Sequence, residues 1–225
     1  MTKKAARRCI VNMATGRFKS GQERLRNSVN NICPDIPLLT WQHEGDIGSP
    51  THKEAPYAFK IYAIKKAQEQ GYDSILWVDA SMFMIKRPER VFAEMEGKGF
   101  VFQVDGDIGK HDGHVLGRWC NDETLKYFDI KREDAQEIGL PLMGFCGFSG
   151  FSGLPNGEKF LKLWEMAMKD GMFQGSWDDH RHDMSCGAAI IHQLKLKMWP
   201  GQEFVAYGDE NIHEKTEILC KGLSS

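Results

Sequence analysis

Gly71-Tyr-Asp-Ser-Ile-Leu-Trp-Val-Asp79-Ala-Ser81 is the stretch whose reading decides the fold class. Ser74 to Val78 is a short apolar run rich in strand-forming residues, bounded by turn formers, and it predicts a buried strand. The segment before it predicts a helix from Pro56 to Gln70. Ala58, Ile61, Ile64 and Ala67 recur every three residues there, Pro56 suits a first helical turn, and Gly71 ends it. Helix, apolar strand and then a carboxylate is the order of an α/β unit. In open α/β sheets ligands bind in the crevice beyond the carboxyl ends of the strands. Asp79 therefore stands where a carboxylate holds a hard cation or a ligand. A strand-end Asp also serves as a turn former or helix cap, and the motif alone does not separate these roles.

Outward from this unit the alternation continues. Cys9 to Met13 predicts a first strand, Ala14 to Gly21 a Gly-bearing loop, Gln22 to Asn30 a helix, and Pro37 to Gln42 a second strand. Met82 to Ile85 is a short apolar run, and Pro88 opens a helix through Met95. Gly99 to Val104 is the next strand, running into Asp105-Gly-Asp107, and a polar middle segment reaches Pro141. Leu142 to Phe151 is apolar and Gly-rich. Glu158 to Asp170 carries an amphipathic stripe of Phe160, Leu163, Trp164, Ala167 and Met168. Asp183 to Leu194 is a further helix and Phe204 to Tyr207 a late strand. The expected architecture is α/β: one domain over residues 1–225, with a central, mostly parallel mixed sheet flanked by helices.

Composition narrows the classes. Lys plus Arg number 29 against 31 Asp plus Glu, so the net charge is −2, which disfavours a general nucleic-acid coat. Hydrophobic residues at 41% and charged residues at 27% allow a packed core. No run approaches the roughly 18 apolar residues of a membrane helix. The basic start, Met1 to Arg8, leads into an apolar stretch too short for a secretory signal. The six cysteines are scattered without a Cys-x-x-Cys pair, which argues against a zinc ribbon and predicts buried free thiols in a cytoplasmic, reducing location.

Four further constellations carry candidate chemistry. Asn12-Met-Ala-Thr-Gly16 begins a loop after the first strand, with neither the P-loop Gly-Lys-Ser/Thr nor the dinucleotide glycine pattern. Phe145-Cys-Gly147-Phe-Ser149-Gly150 offers glycine for close backbone approach. His180-Arg-His182-Asp183 precedes a helix, so Asp183 is also a helix-capping candidate. The histidines are spaced i, i+2 and do not form the i, i+4 pair of zinc proteases. Glu210-Asn-Ile-His213-Glu-Lys215 lies near the C-terminus, where an exposed polar tail is the plainer reading.

The block from Ala55-Pro-Tyr-Ala-Phe-Lys60 through Asp79-Ala-Ser81 to Arg87-Pro88 resembles the GT-A glycosyltransferases, glycogenin-like enzymes among them. In that family an apolar strand ends in Asp-x-Asp, which bridges the diphosphate of a nucleotide sugar through Mn²⁺ or Mg²⁺. The resemblance implies a Rossmann-like GT-A domain that moves a hexose from a nucleotide diphosphate sugar, a UDP-sugar first among them. It implies Asp79, Ser81 and His213 at the metal, and Lys60 and Lys215 at the diphosphate. Asn12 and Gly16 would lie at the base. Gly147 and Ser149 would lie beside the donor sugar, and Trp77 and His182 would complete the substrate site. Asp183 stands for the acidic residue of the family's Asp-Gln motif at the reaction centre. The sequence departs from the pattern at Ser81, where many members carry Asp, and at Met184, where Gln is usual.

The acceptor stays open between a glycan, a protein and a modified nucleic-acid base, and so does the oligomeric state. Two other readings compete. One is a GT-A-like binder of sugars or nucleotides without transfer. The other is a metal-dependent phosphoesterase built on Asp79, Asp105, Asp107 and the histidines.

Overall fold

A computed structural model describes residues 5–106, 114–151 and 153–223. The elements in chain order are β1 (Arg8–Met13), α1 (Lys19–Ile32), β2 (Leu38–Trp41), α2 (Phe59–Glu69), β3 (Ser74–Val78), β4 (Met82–Met84), α3 (Glu89–Lys98) and β5 (Phe100–Val104). There follow α4 (Leu116–Trp119), α5 (Asp122–Tyr127), β6 (Pro141–Ser149), α6 (Asn156–Lys169), α7 (Asp183–Gln193), β7 (Val205–Tyr207) and β8 (Ile218–Cys220).

Five strands form the main sheet in the order β2-β1-β3-β6-β5. β1 pairs in parallel with β2 and β3, while β6 runs antiparallel to both β3 and β5. A smaller sheet has the order β4-β8-β7. The result is an α/β fold of the Rossmann-like kind with mixed sheets.

Alternation along each strand splits the core in two, because successive side chains point to opposite faces. Cys9, Val11, Ile75, Trp77, Phe100, Phe102, Cys146 and Phe148 face one way, against α2, α6 and α7. Ile10, Leu76, Val78, Val101 and Phe145 face the other, against α1, α3 and the small sheet. Every residue of β3 and β6 is buried, as a central strand covered on both faces requires. Each large side chain buried this way contributes about 1.5–3 kcal/mol.

The chain enters at β1, steps to β2 on one side, then crosses back to β3 on the other. That reversal opens a crevice between the carboxyl ends of β1 and β3. β6 is antiparallel, so its amino end, not its carboxyl end, reaches this rim. Helix α2 begins at Phe59 and not at Pro56, because Tyr57 takes a left-handed backbone with φ 60°. The polar stretch 210–215 is followed by β8, which pairs with β4. All six cysteines are free thiols and five are buried. No helix among the described residues is long and apolar enough to cross a membrane.

Candidate functional site

A cleft of about 230 Å³ sits at the crevice between β1 and β3. Met13, Ala14 and Thr15 line it from the end of β1, and Asp79, Ala80 and Ser81 from the end of β3. Phe18, Tyr57 and Phe59 supply aromatic walls, while Glu44 and His52 add polar groups at its edge. Apolar walls with a few convergent polar groups are the ordinary make-up of a small-molecule site.

Below the Asp79 edge lies a group of three charges. The Lys60 ammonium is 2.7 Å from Asp183 Oδ2 and 3.7 Å from Asp79 Oδ1, and it donates to the Met143 carbonyl at 2.9 Å. Burial pulls this ammonium's pKa down, but the carboxylates of Asp183 and Asp79 more than offset that, so it is held above the usual lysine range and stays charged. One cation between two anions leaves a formal charge of −1.

Asp79 is held through both its side chain and its backbone. The Trp77 indole donates to Asp79 Oδ1 at 2.7 Å, and the Asp79 amide donates to the Gly144 carbonyl at 2.8 Å. A Cβ at position 144 would lie 2.9 Å from Asp79 Oδ2 and 2.9 Å from Met82 Cε, so any larger residue must displace one of these side-chain ends. The Asp79 side chain is 33% exposed and lines the cleft. Asp183 opens α7, whose N-terminal dipole favours its negative charge.

Sequence reasoning brings Lys60, Trp77, Asp79 and Asp183 together, with roles that the structure changes. Lys60 is 2% exposed, donates to Asp183 and Met143 and faces Asp79 as an ion pair at 3.7 Å, so it is placed to position carboxylates. Trp77 is fully buried and reaches a ligand only through Asp79. Asp183 is 1% exposed and faces Lys60, where it fixes the ammonium. Ser81 lies on the cleft beside Asp79. Asn12 is buried, donating to the Val78 carbonyl at 2.7 Å and accepting from Gln22 at 2.8 Å, and so ties β1 to β3 beneath the cleft. Gly16, at φ 52°, begins the turn between the lining residues Thr15 and Phe18.

Others lie elsewhere. Ser149 bonds Ser74 at 2.9 Å at the start of β3, the end of the strand away from the cleft. Gly147 faces Met95 and Val101 in the core on the α3 side. His213 Nε2 bonds the Gln202 carbonyl at 2.8 Å, and Lys215 offers its carbonyl to Arg90 at 2.8 Å. Their turn packs where β4 ends, with the Glu214 carbonyl accepting from Lys86, whereas Ser81 precedes the start of β4. His213 therefore does not join Asp79 and Ser81. Asp79 and Asp105 end β3 and β5 with β6 between them, so they do not share one cation as the phosphoesterase reading requires. Asp107 lies outside the described residues. Among the described residues no three His, Cys, Asp or Glu side chains gather into a metal-holding group.

The histidines of the 180–182 loop are internal. His180 Nε2 bonds the Met172 carbonyl at 2.9 Å, and burial lowers its pKa to about 4. His182 is held by the Phe173 carbonyl at 2.8 Å, with its pKa lowered by burial, in a left-handed conformation at φ 45°. Its ring packs 5.7 Å from Tyr57 and 5.4 Å from Trp177. His182 thus backs the cleft wall through Tyr57. A left-handed backbone at two touching aromatic residues, Tyr57 and His182, is strain that only surrounding packing sustains.

Sequence reasoning missed Tyr57, His52, Glu44 and Gly144. The only signal for Gly144 was its place at the head of a Gly-rich apolar run. Tyr57 was legible as a helix residue, not as a left-handed one.

The fold and cleft define an α/β protein of the Rossmann-like kind with a ligand-sized site at its switch point. No family model matches the sequence, and no curated protein sequence matches it. Among solved structures the chain is similar to a glycosyltransferase involved in the glycosylation of the major capsid of PBCV-1. The TM-score is 0.56 at 7% identity, over 94% of this chain and 92% of that one. At that identity the likeness is one of fold.

Proposed function

We propose that this protein is a GT-A-type glycosyltransferase that moves a hexose from a nucleotide diphosphate sugar, a UDP-sugar first among them, to an acceptor hydroxyl. The observation that carries the reading is the buried Lys60 clamp, which holds Asp79 at the edge of the switch-point cleft. The fold likeness to a capsid glycosyltransferase supports the class.

In this reading the nucleoside enters between the aromatic walls of Phe18 and Tyr57, and the diphosphate reaches Asp79 and Ser81. A site of formal charge −1 does not by itself attract a diphosphate. The donor set fits a divalent cation of the Mg²⁺ or Mn²⁺ kind, which takes one or two carboxylates and draws its other oxygens from phosphates and water. Asp79 and Ser81 would hold it, and it would neutralise charge on the departing diphosphate. Lys60 holds Asp79 in place from behind. Trp77 and Gly144 set the carboxylate's direction, so it needs no reorientation when the donor binds.

Calorimetry with UDP-glucose and GDP-mannose, with and without Mn²⁺, tests the reading. The expected result is Mn²⁺-dependent binding of at least one donor, lost in Asp79→Ala while circular dichroism is unchanged. Absence of binding to either donor in the presence of Mn²⁺ overturns it. Binding without release of sugar turns the assignment to a binding module.

A further inference from the structure

The amino end of β6 seats two carboxylates, one on each side. Asp79 hydrogen-bonds to Gly144, while the Asp105 amide, just past β5, donates to the Leu140 carbonyl at 2.8 Å. Asp105 is the centre of a second polar group on the same rim of the sheet. The Tyr207 hydroxyl donates to Asp105 Oδ1 at 2.7 Å, and His114 Nδ1 lies 2.9 Å from Asp105 Oδ2. The Asp105 side chain is 14% exposed and His114 is 47% exposed.

The chemistry of this group follows from its donors and acceptors. An ionised carboxylate only accepts, so His114 Nδ1 carries the ring proton. The other ring nitrogen, Nε2, is left with a lone pair on the half-exposed side chain. A carboxylate that fixes the tautomer and direction of an imidazole is the arrangement of a general base. Tyr207 holds the carboxylate's other oxygen, so Asp105 is restrained from both sides. Arg181 is stacked on Trp119 at 3.7 Å and on Trp177 at 4.2 Å, and Trp177 in turn packs 5.9 Å from Tyr57 of the cleft wall. Asp79 and Asp105 each follow a strand whose end meets the amino end of β6, so this group and the cleft lie on one rim of the sheet.

We propose that His114, oriented by Asp105 and Tyr207, is the general base that activates the acceptor. This rests on the transferase reading above. His114 Nε2 takes the proton of the acceptor hydroxyl as that oxygen bonds to the anomeric carbon. The bond from that carbon to the diphosphate oxygen breaks, and its electron pair leaves with the nucleoside diphosphate. Direct displacement inverts the anomeric configuration. Arg181, between the two tryptophans, forms the wall against which the acceptor lies.

Water serves as the acceptor in the test, so no natural acceptor is needed. The donor is whichever of UDP-glucose, UDP-galactose, UDP-N-acetylglucosamine and GDP-mannose the wild-type protein binds. Its hydrolysis is followed by NMR fast enough to see the first anomer released. His114→Gln and His114→Ala change a half-exposed side chain and keep the fold. Both are expected to lose about 100-fold or more in hydrolysis rate, with donor affinity within twofold of wild type. Free imidazole is expected to restore part of the rate in His114→Ala. Asp105→Asn is expected to lower the rate as well, because an amide facing Nδ1 no longer enforces the tautomer. Wild-type rates in His114→Gln, or release of the retained anomer, overturn the base while leaving the transferase reading intact. Binding without hydrolysis in the wild type overturns the base too. No binding to any of the four donors overturns both proposals.

Discussion

Replacing Lys60 by methionine is the sharpest test of the buried clamp. Methionine fills similar volume without the charge, so the effect is electrostatic. At an effective dielectric of about 20, an ammonium 2.7 Å from one carboxylate and 3.7 Å from another gains about 6 and about 4.5 kcal/mol. Burying the ion costs several kcal/mol, so the clamp's net worth is far smaller than these attractions. Removing one side alone is different, because it leaves Asp183, 1% exposed, without its partner. Breaking a buried pair this way costs about 3–5 kcal/mol. For a chain of this size that is a fall in melting temperature of roughly 10 °C.

The deficit depends on pH in a defined direction. Burial already raises the Asp183 carboxyl above its ordinary value, and Lys60 opposes that rise. Without Lys60 the folded-state value stands further above the unfolded one. The folded state then binds the proton first, so the variant regains stability as pH falls toward that raised value. Urea unfolding at pH 7 and pH 5 measures the effect. The double variant Lys60→Met/Asp183→Asn is expected to recover part of the loss at pH 7, giving a coupling of opposite sign to the single losses. A cost below about 1 kcal/mol at pH 7 for Lys60→Met, or strictly additive losses in the double variant, refutes the clamp.

Two further outcomes follow from the same geometry. Gly144→Ala brings a Cβ to 2.9 Å from Asp79 Oδ2 and Met82 Cε, so the carboxylate is pushed from its seat and donor affinity in calorimetry is expected to fall, with the fold retained by circular dichroism. Gly147→Ala disturbs only core packing against Met95 and Val101, so its cost appears in stability and not in affinity. His180 is buried and neutral with a pKa lowered from 6.5 to about 4, so the unfolded state takes up its proton first as pH falls. Wild-type stability is therefore expected to drop between about pH 6.5 and pH 4, and His180→Gln to lose that part of the slope in urea titrations at stepped pH.

The legibility of this chain was uneven for physical reasons. β3 is read from sequence with its observed boundaries, Ser74–Val78, because a short apolar run between turn residues has one reading once a helix precedes it. α6 and α7 are similarly plain, since an apolar stripe of helical period survives any tertiary context. β8 was not, because three residues after a polar stretch form a strand only when β4 lies beside them. The middle segment hid α4 and α5, which are too short for a periodic signal. Tyr57 broke the expected start of α2 by adopting a conformation that local sequence disfavours and packing with His182 and Trp177 sustains.

The candidate site divides the same way. Sequence alone identified Asp79 at the end of a buried strand, Lys60 on the preceding helix and Asp183 at a helix start. Asp79 and Asp183 rest on local patterns, where a strand stops and which residue opens a helix, whereas Lys60 was singled out by the resemblance to the GT-A enzymes. Only the tertiary structure decided that Lys60 closes a clamp between the two aspartates instead of greeting a ligand, since burial and long-range approach leave no local trace. It also decided which glycine matters. Period two tells which face a β6 residue takes but not which way the strand runs. Because β6 is antiparallel, its amino end meets the cleft, so Gly144 seats Asp79 while Gly147 and Ser149 lie progressively farther from it. Strand direction is a property of the sheet as a whole, and no residue within the strand encodes it.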